Sequence, residues 1–151
     1  MITSIELRPI SAVETHLVRH PMLRHGRPIE DCVFEGDELE TTFHLGAFHN
    51  LELIGVASAF LKQHSRLKGQ PSYQVRGVAT VKKHHRFGVG KALMKGIEQQ
   101  LSTKKAELIW LNARTNAVPF YEALHYTAHG EGFAIAGIGL HYCYFKRLNH
   151  D

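Results

Sequence analysis

Apolar and polar positions along the chain change period several times, and each period predicts one kind of element. From Tyr73 to Val81, an apolar residue or a glycine occupies every second position, which predicts a β-strand with two distinct faces. From Gly88 to Leu101 the apolar residues recur at helical spacing, which predicts an amphipathic helix. The run from Leu108 to Leu111 is wholly apolar and predicts a short strand in the interior of a sheet.

Capping and turn residues complete the predicted order of elements. Ser11 followed three residues later by Glu14 has the form of a capping box, so a helix is expected to begin there. Pro21 lies within this helical stretch and is expected to kink or end the helix. The remaining predicted segments are strands at Ile2–Ile10, Thr41–Phe48, Leu51–Leu61 and Ile138–Phe145, a mainly looped stretch at His25–Glu40 and a short helix at Asn116–Leu124. The resulting order, β-α-β-β-β-α-β-α-β-β, predicts one mixed α/β domain over residues 1–151.

Composition and charge exclude several classes of protein. Hydrophobic residues make up 44% of the 151 residues and charged residues 21%, which is typical of a folded globular domain. No apolar run approaches the about 20 residues that span a bilayer, and no signal peptide is visible at the N-terminus. We therefore expect a cytoplasmic protein without a membrane partner. The net charge of +4 favours an anionic partner without identifying it.

Cysteine and histidine do not form a recognisable metal-binding pattern. Cys32 and Cys143 provide neither a disulfide framework nor a four-ligand zinc site by themselves. The 12 histidines are accompanied by no HExxH helix motif and no CxxC pair. We expect no metal site, and we interpret Cys143 as a small hydrophobic residue rather than a nucleophile.

A glycine-containing turn joins the predicted strand to the predicted amphipathic helix. The basic run Lys82–Arg86 lies just before Gly88-Val89-Gly90. A helix N-terminus offers free backbone N–H groups and the positive end of the helix dipole, which suit a phosphate or pyrophosphate. A Walker loop is excluded because Ala92 stands where it needs Ser or Thr, and a dinucleotide fingerprint is excluded because Leu93 replaces its third glycine. The alternative is a tight turn with a solvated basic face.

Two segments in this region resemble the motifs of a known family. Arg76–Val81 followed by His85–Leu93 resembles the acetyl-CoA motif of the GNAT N-acetyltransferases, written R/Q-x-x-G-x-G/A after a strand. His85 departs from that motif, since Arg or Gln is usual at its position. A second segment, Leu111–Tyr126, resembles the family's N-A-R-x-x-A-x-x-F-Y-E-K-L-G-F, with His125-Tyr126 in place of Gly-Phe. The resemblance implies a mixed, mostly antiparallel central sheet of about six or seven strands, flanked by helices.

The resemblance also implies that the chain binds acetyl-CoA as a cosubstrate. The backbone of Val78, Ala79 and Thr80 would pair with the pantetheine arm like an extra strand. The turn before the helix would hold the pyrophosphate, and Arg114 or Asn116 would lie near the far side of the cofactor. The turn residues assigned to the pyrophosphate are His85, Arg86, Phe87, Gly88, Val89, Gly90 and Lys91.

Acetyl transfer to an amine requires a base for the ammonium group and an acid for the departing thiolate. Tyr121 is the candidate acid, because it occupies the tyrosine position of the F-Y-E motif and a phenol of pKa about 10 is similar in acidity to a thiol. The sequence does not identify the base, and a water chain could serve instead. The candidate bases are His141 on the last predicted strand and, as alternatives, His44, Glu35, Asp37 and His84.

The sequence leaves the acceptor and the biological role open. Val18–Pro28 resembles the L-R-x-x-V-L-R-x-G-x-P opening of uncharacterised bacterial GNAT members, which defines a subgroup without supplying a substrate. Acidic residues between Glu30 and Glu40 could attract a cationic amine or form a solvated loop. The expected activity is acetylation of a primary amine of a small molecule or peptide by direct attack, and the alternative is an acyl-CoA-binding sensor.

Other partners are also considered from the sequence. A nucleic-acid partner is not expected, because no aromatic residues are interleaved in the basic run Lys82–Arg86. The aromatic segment Tyr142–Phe145 could supply a strand edge for a homodimer.

Overall fold

The computed structural model describes residues 4–85 and 87–148. The helices and strands are β1 (Glu6–Pro9), α1 (Ala12–Leu23), β2 (Phe43–His49), β3 (Glu52–Leu61), β4 (Ser72–Thr80), α2 (Val89–Thr103), β5 (Leu108–Arg114), α3 (Val118–Ala123), β6 (Thr127–Ile135) and β7 (Gly139–Arg147). Short 3₁₀ turns lie at Ile29–Cys32, Lys82–His84 and Thr115–Ala117. Ile2 and Thr3, at the start of the first predicted strand, lie outside the described residues. The predicted order of helices and strands is confirmed.

Within the described residues, the strands form a seven-stranded sheet in the order β1-β2-β3-β4-β5-β7-β6. β4 is parallel to β5, whereas β1 with β2, β2 with β3, β5 with β7 and β6 with β7 are antiparallel. The predicted mixed α/β fold with a mostly antiparallel sheet is therefore confirmed.

The described residues form two compact units. The first unit contains residues 4–60, 75–85 and 87–100, and the second contains residues 61–74 and 101–148. The assignment of residues 1–151 to one domain stays a prediction. Among the described residues, no helix has the length and apolar character needed to cross a bilayer.

Helix α1, in the first unit, begins with the predicted capping box. The backbone N–H of Ser11 donates to the Glu14 carboxylate over 2.9 Å, and the Glu14 N–H donates to the Ser11 hydroxyl over 3.2 Å. The helix continues for two residues beyond Pro21 and ends at Leu23. Because Pro21 lies in the last turn, its missing N–H removes one hydrogen bond and the helix stops within that turn.

The core of the first unit packs α1 against strands β3 and β4 through Val18, Val56 and Ala79, all of which are buried. Helix α2 approaches β3 closely at Gly55, where a Cβ atom would lie 2.7 Å from Cγ1 of Val89 and 3.3 Å from the Ala79 carbonyl oxygen. The absence of a side chain at Gly55 therefore places the first turn of α2 beside the second half of β4.

Strands β2 and β3 form the predicted hairpin. Asn50 and Leu51 connect them with φ angles of 49° and 68°, which are both positive, as a type I′ turn requires. The β3 strand is buried continuously from Ile54 to Phe60, as expected of a strand in the sheet interior.

The second unit has its own apolar core. The indole N–H of Trp110 donates to the Lys62 carbonyl over 3.0 Å, which holds the segment after β3 against β5. The short helix predicted to begin at Asn116 begins instead at Val118, because the preceding residues form a 3₁₀ turn. The buried core residues are Leu67, Leu108, Trp110 and Cys143, with Phe145 packed against them.

Candidate functional site

Strand β4 changes direction at Gly77, in the first unit. Gly77 has a φ of 68°, and a Cβ atom there would lie 3.0 Å from Cε2 of Phe34. The guanidinium carbon of the preceding residue, Arg76, lies 4.5 Å from the centroid of the same Phe34 ring. Two consecutive residues therefore face one ring, so the strict alternation predicted from Tyr73 to Val81 is wrong at this point. The positive φ is the physical reason, because it interrupts the pleat of the strand.

The residues after Gly77 are those assigned to the pantetheine arm. Ala79 is buried in the core of the first unit, whereas Val78 and Thr80 are half-buried. The side chain of Ala79 is therefore engaged in packing, so a ligand of this segment would bind through its backbone. This agrees with the predicted use of main-chain groups, which stays a prediction.

The turn between β4 and α2 is held at its base by His85. The Nε2 atom of His85 lies 2.8 Å from the Thr80 carbonyl oxygen, and since a carbonyl oxygen accepts, Nε2 is the donor. The unusual histidine of the turn is therefore bonded to the end of the strand that precedes it. Arg86, also assigned to the pyrophosphate, lies outside the described residues.

The N-terminus of α2 is open to a ligand. Gly88 has a φ of 79°, and among residues 4–85 and 87–148, apart from its two chain neighbours, no atom lies within 4 Å of the position of a Cβ there. Its carbonyl oxygen accepts from the Ala92 N–H over 3.0 Å, which begins the helical hydrogen bonding. The N–H groups of the first turn, at Val89, Gly90 and Lys91, precede that bond and have no partner along the helix. Main-chain donors without a helical partner at the positive end of a 15-residue helix form a site suited to a phosphate group.

The charged and aromatic side chains around this turn differ in how freely they can contact an anion. Lys83 forms an exposed ion pair with Glu52 over 3.1 Å, which reduces its availability to an anion. Phe87 is 41% exposed, and its ring centroid lies 6.3 Å from that of His84. Lys91 projects from the first turn of α2 and is exposed. The basic run thus contributes less free charge than its composition indicates.

Two of the alternative bases belong to a buried network around Arg19. Arg19 donates to both carboxylate oxygens of Asp37, over 2.7 and 3.1 Å, and to the Ser58 hydroxyl over 2.9 Å. His44 bonds to the same hydroxyl over 2.6 Å and to the Asp37 carbonyl over 2.9 Å. Burial disfavours the charged form of Asp37, but the hydrogen bonds from Arg19 and the Phe34 N–H outweigh it and lower the pKa of the carboxyl. Both candidates are therefore engaged in hydrogen bonds within this network, and their use as bases stays a prediction.

Tyr121, in the second unit, is a buried residue of α3. Its ring centroid lies 4.9 Å from that of Phe120 and 5.9 Å from that of Tyr126, both in edge-on contact. Burial raises the pKa of the Tyr121 phenol well above its ordinary value of about 10. The acidity match with a thiol that was expected from the ordinary value therefore does not hold. Tyr121 keeps its proton throughout the physiological pH range and is suited to donating a hydrogen bond.

His141 and Arg114 are paired across β5 and β7 in the second unit. His141 is buried, and its Nδ1 lies 2.9 Å from the Gly139 carbonyl oxygen. Nδ1 is therefore the donor, and in the neutral ring Nε2 remains able to accept a proton. Arg114 is exposed at the end of β5, and Asn116 is exposed in the 3₁₀ turn that follows. The structure thus brings His141 and Arg114 together on neighbouring strands.

The structure also reveals a cysteine–histidine contact that sequence reasoning misses. Cys143 Sγ lies 3.6 Å from Nε2 of His64, a residue far away in the sequence. His64 Nδ1 accepts N–H groups of Arg66 and Leu67 over 3.0 and 3.1 Å, so Nε2 carries the proton. Burial raises the pKa of the Cys143 thiol and lowers the pKa of the His64 imidazolium. The contact therefore joins neutral groups, which agrees with an unreactive cysteine.

The described part of the chain, residues 4–85 and 87–148, contains no cluster of three or more His, Cys, Asp or Glu side chains arranged to hold a metal ion.

Comparisons with known proteins identify a family that this chain resembles in sequence. The sequence profile of the acetyltransferase (GNAT) domain matches residues 30–142. The uncharacterized N-acetyltransferase YitI of Bacillus subtilis (strain 168) is 34% identical to this chain over 144 residues, which cover 95% of this chain and 97% of YitI.

Solved structures with low sequence identity share the fold. An aminoglycoside 6′-N-acetyltransferase complexed with coenzyme A has a TM-score of 0.76 at 12% identity, with 97% of this chain and 99% of that chain covered. A GNAT family acetyltransferase from Elizabethkingia anophelis with acetyl-CoA bound has a TM-score of 0.70 at 14% identity, with 97% of this chain and 99% of that chain covered. The profile match over most of the chain and the identity to YitI establish what this fold and its glycine turn indicate: the chain belongs to the GNAT acetyltransferase family and is an N-acetyltransferase.

Proposed function

We propose that this enzyme transfers the acetyl group of acetyl-CoA to a primary amine of a small molecule or peptide by direct attack of the amine. The observation that carries the proposal is the N-terminus of α2, which follows β4 and the short turn after it, with Gly88 at a positive φ immediately before the first helical N–H groups. Solved members of the fold hold coenzyme A or acetyl-CoA, which supports the same cosubstrate here.

The chain would bind the cosubstrate mainly through main-chain groups. Val78, Ala79 and Thr80 would bond to the pantetheine arm, and residues 85–91, Arg86 included, would hold the pyrophosphate. Main-chain donors suit this task because their positions are set by the strand and the helix, so little conformational entropy is lost on binding. Arg114 and Asn116, both exposed, would contact a more distant part of the cosubstrate.

The chemistry requires the amine nitrogen to lose a proton, the departing thiolate to gain one, and the developing oxyanion to be stabilised. The amine nitrogen must lose a proton, and the Nε2 atom of His141 is the acceptor we propose for it. A backbone N–H near Val78 would stabilise the oxyanion that forms on the acetyl carbonyl. The phenol of Tyr121 would donate a hydrogen bond to the departing thiolate. Because burial raises its pKa, Tyr121 would keep its own proton while it donates this hydrogen bond, and the departing thiolate would take its proton from solvent water.

Thermal unfolding with acetyl-CoA and with coenzyme A tests the cosubstrate. A ligand at 100 times its Kd adds about 2.7 kcal/mol to the stability of the folded state, so both ligands should raise the Tm clearly. An unchanged Tm at millimolar ligand would exclude the transferase proposal. The alternative of an acyl-CoA-binding sensor predicts the same rise in Tm but no release of coenzyme A thiol when amines are added.

The proposed setting of the enzyme is the cytoplasm, with no nucleic-acid partner and with a homodimer through the Tyr142–Phe145 segment. These statements stay predictions.

A further inference from the structure

Three arginine side chains lie against the ring of Phe34 in the first unit. The guanidinium carbons of Arg19, Arg76 and Arg24 lie 3.9, 4.5 and 5.4 Å from the ring centroid. Arg19 belongs to α1 and Arg24 caps the end of that helix, whereas Arg76 belongs to β4. The cationic groups are held near one another by their attraction to the aromatic ring. We call these four residues the Phe34 cluster.

The arginines of the Phe34 cluster differ in whether a carboxylate neutralises their charge. Arg19 is fully buried and paired with Asp37 over 2.7 Å, so its charge is neutralised within the fold. No carboxylate lies within ion-pair distance of Arg76 in residues 4–85 and 87–148. Arg76 is half-buried, and burial together with Arg19 and Arg24 lowers the pKa of its guanidinium against the opposing effect of Asp37 and Glu35. An anion beside Arg76 would relieve this unfavourable environment.

Arg76 lies beside the segment that we assign to the cosubstrate. Arg76 directly precedes the turn at Gly77 and lies two positions before Val78, the first residue assigned to the pantetheine arm. A group bound by Arg76 would therefore lie close to the acyl end of that segment. This is the region that the acceptor amine must enter.

We propose that Arg76, together with Arg24, binds an anionic oxygen group, a carboxylate or a phosphate, on the acceptor amine. A planar guanidinium binds either group through two parallel N–H···O bonds. The inference rests on the proposed transferase function and narrows its substrate class to amines that carry their own anion. Polycationic amines are disfavoured, because like charges at a binding surface repel.

The acidic loop offers less to a cationic amine than its composition indicates. Asp37 is held by Arg19, and Asp31 pairs with Arg27 over 2.8 Å. These two carboxylates are therefore already neutralised by arginine side chains. Asp37 of this loop thus helps to fix Arg19 in the Phe34 cluster.

Matched pairs of amines test the proposal through the release of coenzyme A thiol. Amino acids are compared with their amides, and phosphoethanolamine is compared with ethanolamine, so that the two anions are distinguished. The wild-type enzyme should prefer the anionic member of at least one pair by tenfold or more in kcat/KM. Arg76→Gln should raise the KM of that member about 10- to 100-fold, with the KM for acetyl-CoA unchanged. Arg76→Lys should retain part of the preference, and Arg24→Gln should have a smaller effect than Arg76→Gln.

Arg8→Gln is the matched control. Arg8 also stacks on an aromatic ring, with its guanidinium carbon 3.9 Å from the centroid of Phe48, but it lies outside the Phe34 cluster. This variant should keep the wild-type preference. A wild-type preference for neutral or polycationic amines would overturn the proposal, as would an equal effect of Arg76→Gln on both members of each pair.

A binding measurement separates failure of this inference from failure of the transferase proposal. Protein saturated with coenzyme A is heated with an N-acetyl amino acid, its amide or N-acetyl phosphoethanolamine. The anionic compounds should raise the Tm in the wild-type protein and not in Arg76→Gln. If no amine is acetylated although acetyl-CoA raises the Tm, the transferase proposal fails and this measurement alone decides the anion site. If amines are acetylated but no anionic compound changes the Tm, the anion site is excluded and the transferase proposal stands.

Discussion

Tyr121 and Asp37 are both buried ionisable residues, and their surroundings shift their pKa values in opposite directions. Burial raises the pKa of Tyr121, so the phenol stays neutral. Burial also disfavours the Asp37 carboxylate, but donors from Arg19 and the Phe34 backbone reverse the effect and lower its pKa. At neutral pH one residue is therefore a protonated donor and the other a charged acceptor.

Tyr121→Phe should lower kcat about 100-fold, because the hydrogen bond to the departing thiolate is lost in the transition state. The KM for acetyl-CoA should change less than about threefold, since that bond is not formed in the ground state. Steady-state kinetics with a reactive amine measures both constants. Because the pKa of Tyr121 is raised, the wild-type rate should show no loss from its ionisation up to pH about 10.

Tyr126→Phe is the control for that experiment. Tyr126 is a buried neighbour whose ring centroid lies 5.9 Å from that of Tyr121, and the proposed chemistry does not use it. An equal fall in kcat for both variants would show that Tyr121 acts through packing and not through its hydroxyl group.

Asp37→Asn should reduce the free energy of unfolding at pH 7 by about 3 to 5 kcal/mol, because it leaves Arg19 buried without its counter-ion. A lowered pKa means that the Asp37 contribution is fully present above the unfolded pKa of about 3.9 and is lost as the pH falls through the lower folded pKa. The difference between wild type and variant should therefore shrink below pH about 4. Urea unfolding at several pH values measures it.

The exposed pair between Arg27 and Asp31 provides the comparison. Asp31→Asn should change the free energy of unfolding by less than about 1 kcal/mol, because solvent screens an exposed ion pair. A similar loss for Asp31→Asn and Asp37→Asn would contradict the buried network as the source of stability.

At the scale of the element, the segment from β4 to α2 depends on two glycines for different reasons. Gly77 and Gly88 both have a positive φ, which strains any other residue. A side chain at Gly77 would also meet Phe34 at 3.0 Å, whereas one at Gly88 would meet no atom within 4 Å among the described residues other than its chain neighbours. The turn therefore stays accessible at Gly88 while the strand is closely packed at Gly77.

Gly88→Ala should cost about 1 to 2 kcal/mol of stability, which is the conformational cost of a left-handed non-glycine residue. Gly77→Ala should reduce the stability by about 1 to 3 kcal/mol more than Gly88→Ala does, because it adds overpacking against Phe34 to the same conformational strain. Urea unfolding of the two variants at one pH measures the difference. Equal losses would show that Phe34 moves aside freely and that the strand is not closely packed there.

Most helices and strands were predictable from the sequence, because the spacing of apolar residues and the helix caps depend on residues close together in the chain. The capping box at Ser11 and the hairpin between β2 and β3 depend on residues a few positions apart. The break at Gly77 was not predictable in this way, since glycine fits a regular strand pattern as well as a kinked one. The positive φ of Gly77 in the folded chain reveals it.

At the scale of the whole molecule, net charge describes the protein less well than the distribution of its charges. The excess of +4 suggests an anionic partner, but Lys83 in the basic run is paired with Glu52. Arg76, an isolated arginine in the sequence, instead has no carboxylate partner in the described fold. The positive charges that have no carboxylate partner in the fold therefore determine where an anion is attracted.

The sequence by itself determined the order of the elements, the mixed sheet and the family. These follow from periodic patterns and from two contiguous motifs, Arg76–Leu93 and Leu111–Tyr126. Such features are carried by residues close together along the chain, so they are visible before folding.

The tertiary structure decided how individual side chains are used. It brought Arg19, Arg24 and Arg76 to one aromatic ring, placed Asp37 in a buried ion pair and raised the pKa of Tyr121 by burial. Each of these depends on contacts between distant segments and on the exclusion of water, which packing creates and no local pattern contains.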